Sequence, residues 1–478
     1  MQTANLINGQ WTHGGGDTFG VINPADDQLL AEVPMSGRQE TLAAIDAASE
    51  ALAPWQERTA RDRADVLHEL SRLLLEQAPR IGRILTMEQG KPMAESLGEI
   101  GYAASFLDWA AEEGCRIYGD TIPASSNNKR ILVLKQPVGV TGAITPWNFP
   151  VAMITRKLGP ALAAGCTQVI KPAEDTPLSA LALGELACEA GVPPGVINII
   201  TGDPVAISDA MLGDPRLRKL SFTGSTEVGR ILMQKASTNL TRLSLELGGH
   251  APLIVFDDAD LDIAVAGTLA CKFRNMGQTC ISANRFIVHD SIHDAFIQKL
   301  QDSVSALVVG NGLHEGVHVG PLINDPAIEK VQQHVDTAVA SGATLVCGGS
   351  TTPIESMSDR FYQPTILMDV TPEMLICQEE TFGPIVPVVR FTEDDEAVRL
   401  ANATPYGLAA YFFTNDASRV IRVSEALEYG IVGVNDGAPS TAQAPFGGVK
   451  HSGYGREGGR YVMDEYLETK YVSWQFTD

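Results

Sequence analysis

From residue 138 to residue 249 the chain alternates, without a break, between short apolar runs and helix-forming segments. VGVTGAI (138–144), TQVIKP (167–172), VINIITG (196–202), LSFTG (220–224) and LSLELGG (243–249) read as strands. Between them lie 151–164, closed by Gly165, then 178–191, 204–212 and a helix opening near Ser225. Strands that are apolar at consecutive positions, each followed by a helix, specify a parallel sheet covered on both faces. Such a sheet takes ligands at the carboxyl ends of its strands. The loops that follow these five runs are therefore where chemistry is expected.

A second alternating block begins near Ala251, with strands in SANRFIVHD, ATLVCGG, GPIVPVVRF, LAAYFFTN and GIVGVN. It predicts a second α/β domain. Residues 37–117 read mainly as helix, with Val66, Leu67, Leu70, Leu73 and Leu74 at helical spacing and Pro92 and Gly114 as punctuation. ILVLKQPV (131–138) and YLETKYVSW (466–474) are β-rich and belong to neither block. Each is expected to pair with another subunit or to lie as an ordinary edge strand. A chain of 478 residues also exceeds what one core usually organises.

Charge and cysteine content narrow the function. The net charge of −23 argues against nucleic acid and anionic membranes, which attract basic patches. Its simple meaning is solubility. An anionic substrate would then need local arginines. Seven cysteines without a CxxC pair suggest neither a disulfide framework nor a zinc site, and no metal is expected. They fit a reducing compartment, and a cytoplasmic location is expected. MQTANLINGQW has no basic n-region or long apolar h-region, so no secretory leader is expected. No apolar run reaches the roughly 18 residues that a membrane span requires.

Five stretches carry chemistry. In SFTGSTEVGR (221–230), Ser225 suits a helix N-cap and Gly224 lets a phosphate approach the backbone. A merely well-capped helix reads the same way, and the usual GxGxxG fingerprint is absent. In TPWNFP (145–150), two prolines hold Asn148 rigidly, as an oxyanion donor or as a helix cap. In KPAEDTP (171–177), Lys171 and Glu174 follow a buried strand, to grip ribose hydroxyls or as a solvated pair. In SLELGGH (244–250), Glu246 ends an apolar strand, where desolvation raises its pKa toward that of a general base. A structural Glu bonded to backbone is the alternative. In CKFRNMGQTCISANRF (271–286), Cys280 sits among Gly, Gln and Thr. A thiolate there is a nucleophile for a carbonyl carbon. Cys166, Cys188, Cys271 and Cys347 better fit the part of buried bystanders.

Together these stretches resemble the aldehyde dehydrogenase superfamily. TPWNFP, KPAEDTP, FTGSTEVG, LELGG, GQTC, EETFGP (379–384) and PFGGVKHSG (445–453) occur in that order, and Glu246 precedes Cys280 by 34 residues. The resemblance implies a Rossmann-type cofactor domain, a second α/β catalytic domain and a small β oligomerisation element. We assign these to 1–117 with 139–248, to 249–447, and to 118–138 with 458–478. It implies that Cys280 attacks an aldehyde, that Asn148 and the Cys280 N–H stabilise the oxyanion, and that Glu246 activates the water that hydrolyses the thioester. It places Thr145, Trp147, Lys171, Glu174, Gly224, Ser225, Glu380 and Phe382 along a nicotinamide dinucleotide. Glu174 suits two ribose hydroxyls and repels a 2′-phosphate, so NAD is expected over NADP. A homodimer or homotetramer is implied. A catalytically dead member is disfavoured because Cys280, Glu246 and Asn148 are all present. A CoA-acylating member is disfavoured because Glu246 is.

Within the family the chain is most similar to succinate-semialdehyde dehydrogenases. Arg274, Arg156 and Ser440 stand where that group holds a substrate carboxylate. The alternative is that the arginines pair with acidic neighbours. His250 and the CIS motif also resemble 2-oxoglutarate-semialdehyde (2,5-dioxopentanoate) dehydrogenases. Glutarate semialdehyde fits too, because one methylene discriminates weakly. Ser282 stands where some relatives carry a second cysteine, so a local redox disulfide with Cys280 is not expected.

Overall fold

The structure, a computed structural model, describes residues 1–476, so the last two residues of the expected 458–478 element lie outside it. Its centre is an eight-stranded sheet. From one edge the order is Gly453–Tyr454, Arg242–Glu246, Leu217–Thr223, Val140–Ile144, Thr167–Lys171, Ile197–Ile199, Asn5–Ile7 and Gln10–Thr12. The five strands expected from the alternation form its middle and run parallel. The antiparallel edges come from the N-terminal pair and from Gly453–Tyr454. VINIITG contributes only Ile197–Ile199. Beyond it, the Thr201 N–H leaves the ladder and donates to Asn5 Oδ1 at 2.8 Å.

The second sheet has seven strands, in the order Thr344–Cys347, Thr365–Met368, Ile385–Phe391, Ala283–His289, Ala251–Val255, Ala409–Phe413 and Ile431–Val434. All neighbours run parallel except the first pair. Residues 247–250 carry the chain directly from Arg242–Glu246 into Ala251–Val255. The carboxyl ends of the first sheet thereby meet the amino ends of the second.

The two β-rich segments without a domain pair with each other. Leu467–Gln475 runs antiparallel to Lys129–Pro137, from Leu467 opposite Pro137 to Gln475 opposite Lys129. Asp120–Ile122 completes a three-stranded sheet. The tail strand is thus an edge strand with an intramolecular partner, and Tyr471 and Trp474 stand exposed on it. Among the described residues no helix is long and apolar enough to cross a membrane.

Helix Ala152–Ala164 is buried at every position. Its small residues allow this. A Cβ on Gly159 would lie 3.0 Å from Ala110 Cβ and 3.2 Å from Phe106 O, so helix Met93–Gly114 packs nearly backbone to backbone. Glu99, on that neighbour, caps the buried helix. Its Oε1 accepts from the N–H groups of Val151 (3.0 Å) and Ala152 (3.2 Å), and its Oε2 pairs with Lys91 Nζ at 2.6 Å. Both partners of this pair are fully buried. Removing one leaves an uncompensated charge, which typically costs about 3–5 kcal/mol. Glu99→Ala is therefore expected to lower the unfolding free energy measured in urea by that amount. A loss under about 1 kcal/mol would show that Lys91 finds another partner or sheds its proton.

Candidate active site

The loops that leave the first sheet after Ile144, Thr223 and Glu246 face those that enter Ala283–His289 and Ile385–Phe391 of the second. Between them lies a cavity of about 360 Å³, walled in part by Asn148, Gly224, Glu246, Cys280, Glu380 and Phe382. Sequence positions far apart converge here because both sheets present chain ends to one cleft.

Cys280 is half-buried in the loop before Ala283–His289 and is the one cysteine on the cavity wall among the described residues. Gly277 shapes that loop. Its φ is +73°, and a Cβ there would lie 2.3 Å from Gly383 O, so no other residue fits. Burial pushes the Cys280 thiol up to about 12. Arg156 opposes the shift, Glu380 and Glu246 add to it, and Arg274 opposes it. The sulfur thus rests as a thiol, with two arginines favouring its ionisation.

Glu246 ends its strand 3% exposed, and neither carboxylate oxygen has a hydrogen-bond partner among the described residues. Burial first, and then the charge of Glu457, holds its pKa well above the usual carboxylate range. Arg156, Lys157 and Arg456 pull the other way. The alternative of a backbone-bonded structural Glu finds no such bond. Asn148 is buried and its Nδ2 donates to Gln278 O at 3.0 Å, which leaves the second amide hydrogen unassigned. Its carbonyl accepts from Lys91 Nζ at 2.7 Å and from Asn275 Nδ2 at 2.9 Å.

Of the expected dinucleotide residues, Trp147, Gly224, Ser225, Glu380 and Phe382 line this cavity, while Thr145, Lys171 and Glu174 do not. Ser225 caps helix Thr226–Ala236 by accepting from Val228 N at 3.3 Å, and it lines the cavity beside Gly224. Glu380 Oε1 accepts from Gly249 N at 3.1 Å, and burial raises its carboxyl to about 7. Phe382, with φ +57°, sets its ring edge-on to Trp147 with centroids 5.6 Å apart. Thr145 is buried behind Pro146, its hydroxyl unpartnered among the described residues. Lys171 is buried and ion-pairs with Glu174, whose side chain is 41% exposed. Glu174 lines a smaller cavity of about 250 Å³ that shares Ile323 and Asn324 with the main one. A nicotinamide dinucleotide fits these residues. The helix N-terminus offers N–H donors for phosphate, the Glu174 carboxylate offers acceptors for a diol, and Gly248 keeps one wall clear. A Cβ on Gly248 would come within 3.1 Å of Glu380 Oε2.

The three expected substrate residues do not line the main cavity. Arg156 is fully buried, with Nε 3.1 Å from Glu457 Oε2 and its guanidinium carbon 3.8 Å from the Phe446 ring centre. Its acidic neighbour is therefore real, although Nη2 has no hydrogen-bond acceptor among the described residues. Arg274 differs. No described carboxylate lies within ion-pair distance of it, and its guanidinium carbon is 5.4 Å from the Phe149 ring centre. Ser440 Oγ shares a hydrogen bond with the Tyr102 hydroxyl.

Glu457, Lys157, Asn275 and Tyr102 escaped the sequence reading. Lys157 Nζ donates to Thr223 Oγ1 at 2.6 Å and to Glu457 Oε1 at 2.5 Å. One signal was available. Arg156 and Lys157 interrupt an otherwise apolar helix, and buried cations require an acid. Nothing local names that acid.

The model of the aldehyde dehydrogenase family matches residues 11–472. A succinate-semialdehyde dehydrogenase [NADP(+)] of Escherichia coli is 55% identical over 98% of this chain and 96% of that enzyme. A glutarate-semialdehyde dehydrogenase of Pseudomonas putida is 52% identical over 98% of this chain and 96% of that one. The crystal structure of succinate-semialdehyde dehydrogenase from Burkholderia pseudomallei superposes with a TM-score of 0.97 at 52% identity, covering 99% of this chain and 98% of that chain.

Proposed function

The chain belongs to the aldehyde dehydrogenase family, and from that premise we propose that it oxidises a short semialdehyde bearing a carboxylate, succinate semialdehyde foremost, to the free acid. The observation that carries the substrate class is Arg274. It is a half-buried guanidinium with no carboxylate within ion-pair distance among the described residues; its Nε is buried without a hydrogen-bond partner, its charge reaches the buried Glu95 carboxyl only through space, and it acts on the Cys280 thiol. A desolvated cation left unpaired is costly unless a ligand supplies the anion. Arg156, already faced by Glu457, contributes Nη2 and field rather than a free charge. Glutarate and 2-oxoglutarate semialdehydes remain the alternatives, since chain length is the weakest discriminator.

In the proposed reaction the Cys280 sulfur, deprotonated under the influence of Arg156 and Arg274, adds to the aldehyde carbon. The free Asn148 amide hydrogen and the Cys280 N–H receive the oxygen as charge develops on it. A nicotinamide dinucleotide held along Gly224, Ser225, Glu380 and Phe382 would supply the two-electron acceptor needed for the thiohemiacetal to become a thioester. Glu246, once ionised, takes a proton from the water that attacks the thioester. The thiol is then regenerated and the acid leaves.

Arg274→Ala is expected to lower kcat/KM for succinate semialdehyde about 10- to 100-fold, the usual cost of losing a hydrogen bond to a charged group. Butanal turnover should stay within about threefold, since it has no carboxylate to lose. Equal losses on both aldehydes would make the arginine structural.

For the cofactor we propose NAD over NADP. The Glu174 carboxylate accepts ribose hydroxyls and repels a 2′-phosphate, and it also neutralises Lys171. The E. coli relative carries NADP(+) in its name, so this preference separates the two enzymes. We expect kcat/KM for NAD to exceed that for NADP by about tenfold or more, and Glu174→Ser to narrow the ratio. A wild type that prefers NADP overturns the assignment. We also propose a cytoplasmic homodimer or dimer of dimers, assembled through 118–138 and the open tail strand, whose exposed Tyr471 and Trp474 suit a buried seam.

A further inference from the structure

Asn275 lies five residues before Cys280, fully buried, in the left-handed region with φ +51°. Asparagine tolerates that conformation better than most residues. Its side chain joins segments from three parts of the chain. Nδ2 donates to Asn148 O at 2.9 Å and to Gln278 O at 3.1 Å. Oδ1 accepts from Gln89 Nε2 at 2.9 Å. The Gln89 orientation is set in turn, because its Oε1 accepts from Lys91 N at 3.0 Å. The amide of Asn275 therefore has one consistent orientation, with both hydrogens aimed at the two carbonyls. Its backbone N–H donates to Glu95 Oε2 at 2.7 Å, so the main chain is held as well.

The two carbonyls matter because of what they precede. Asn148 is the side-chain donor of the oxyanion site, and Gln278 stands two residues before Cys280. Gln278 O also accepts from Asn148 Nδ2 at 3.0 Å. One amide thus ties the loop that carries the donor to the loop that carries the nucleophile.

We propose that Asn275 is a positioning residue for acyl transfer, setting the distance between the Asn148 amide and Cys280 so that both meet one oxygen. This rests on the roles proposed above for Cys280 and Asn148. It predicts a selective defect. Addition to a carbonyl needs the donor and the sulfur in register, whereas alkylation needs only the sulfur.

The test compares wild type with Asn275→Asp and Asn275→Gly. The first is isosteric but turns an oxygen toward two carbonyls. The second keeps the left-handed backbone and deletes the amide. Three rates are read: the NADH burst with succinate semialdehyde, acyl transfer from p-nitrophenyl acetate to Cys280 without cofactor, and alkylation of Cys280 by iodoacetamide. Both acylation rates are expected to fall about 100-fold, the scale of losing one oxyanion donor. Alkylation and the KM for cofactor should stay within about threefold, because neither uses that register. Acylation within threefold of wild type in a folded variant overturns the proposal, as does an equal fall in alkylation. If both variants fail to fold, Gln89→Met, which frees the amide to rotate, must still slow acylation more than alkylation for the proposal to stand. A wild type that acylates from the ester but oxidises no semialdehyde would sink the proposed substrate and leave the role of Asn275 measurable.

Discussion

Cys280→Ala is expected to abolish aldehyde oxidation, with a fall in kcat of about 10⁴-fold or more, the scale seen when a covalent nucleophile is removed. No described residue can replace it. Cys166, Cys271 and Cys377 are buried away from the cleft, Cys188 is exposed elsewhere, and Cys115 and Cys347 do not reach the cavity wall. The substitution deletes one half-buried atom, so stability should change by less than about 1 kcal/mol. Loss of activity with an unchanged unfolding midpoint separates chemistry from folding. A variant that keeps a tenth of the activity would exclude Cys280 as the nucleophile. The same thiol predicts a pH profile. With its pKa pushed up to about 12, the thiolate is scarce at neutral pH in the free protein. Iodoacetamide alkylation should therefore rise about tenfold per pH unit from 7 to 10. A flat profile would mean that the thiolate is already formed.

Glu246→Gln is expected to stop the cycle halfway. The variant should release one equivalent of NADH per subunit in a burst and then turn over about 10²- to 10⁴-fold more slowly, the usual range for a lost general base. Loss of the burst itself would place Glu246 in acylation instead. The sign of the pH effect follows from the raised pKa. The base is the ionised form, so the deacylation rate of the wild type should rise with pH through that pKa and be flat in the variant. Stability moves the other way. Between the ordinary value of 4.5 and the raised folded value, the native state binds more protons than the unfolded chain, so this group's contribution falls as pH rises. Glu246→Gln should accordingly unfold at higher temperature than wild type at pH 8, with the gap closing below about pH 4.5. A gap that widens in acid would show that Glu246 is ionised in the folded protein.

Much of this was legible in one dimension. Strands such as Val140–Ile144 and Thr167–Lys171 are buried at every position, and covering on both faces is what writes a continuous apolar run into a sequence. Ser225 and Gly165 mark helix ends by local backbone chemistry, and the helices stop where they stand. Cys280 and Glu246 were readable because each breaks its surroundings, a thiol among small polar residues and a carboxylate closing an apolar strand. The two orphan β-segments were recognised as strands, yet their mutual pairing was not, since 129–137 and 467–475 lie far apart in sequence and no local pattern links them.

The sequence by itself determined the elements, their alternation and the chemically exceptional side chains, because these depend on neighbours within a few residues. Only the tertiary structure decided which charges are spent and which are free. Arg156 and Arg274 look equivalent in sequence. Packing of helix Ala152–Ala164 against the segment that carries Glu457, 300 residues beyond Lys157, puts an acid in ion-pair contact with Arg156 and Lys157, whereas no described carboxylate comes within ion-pair distance of Arg274. Asn275 is likewise an unremarkable asparagine until folding brings Gln89, Asn148 and Gln278 around its amide. Pairing across the chain follows from which buried surfaces meet, and that is a property of the packed whole rather than of any local pattern.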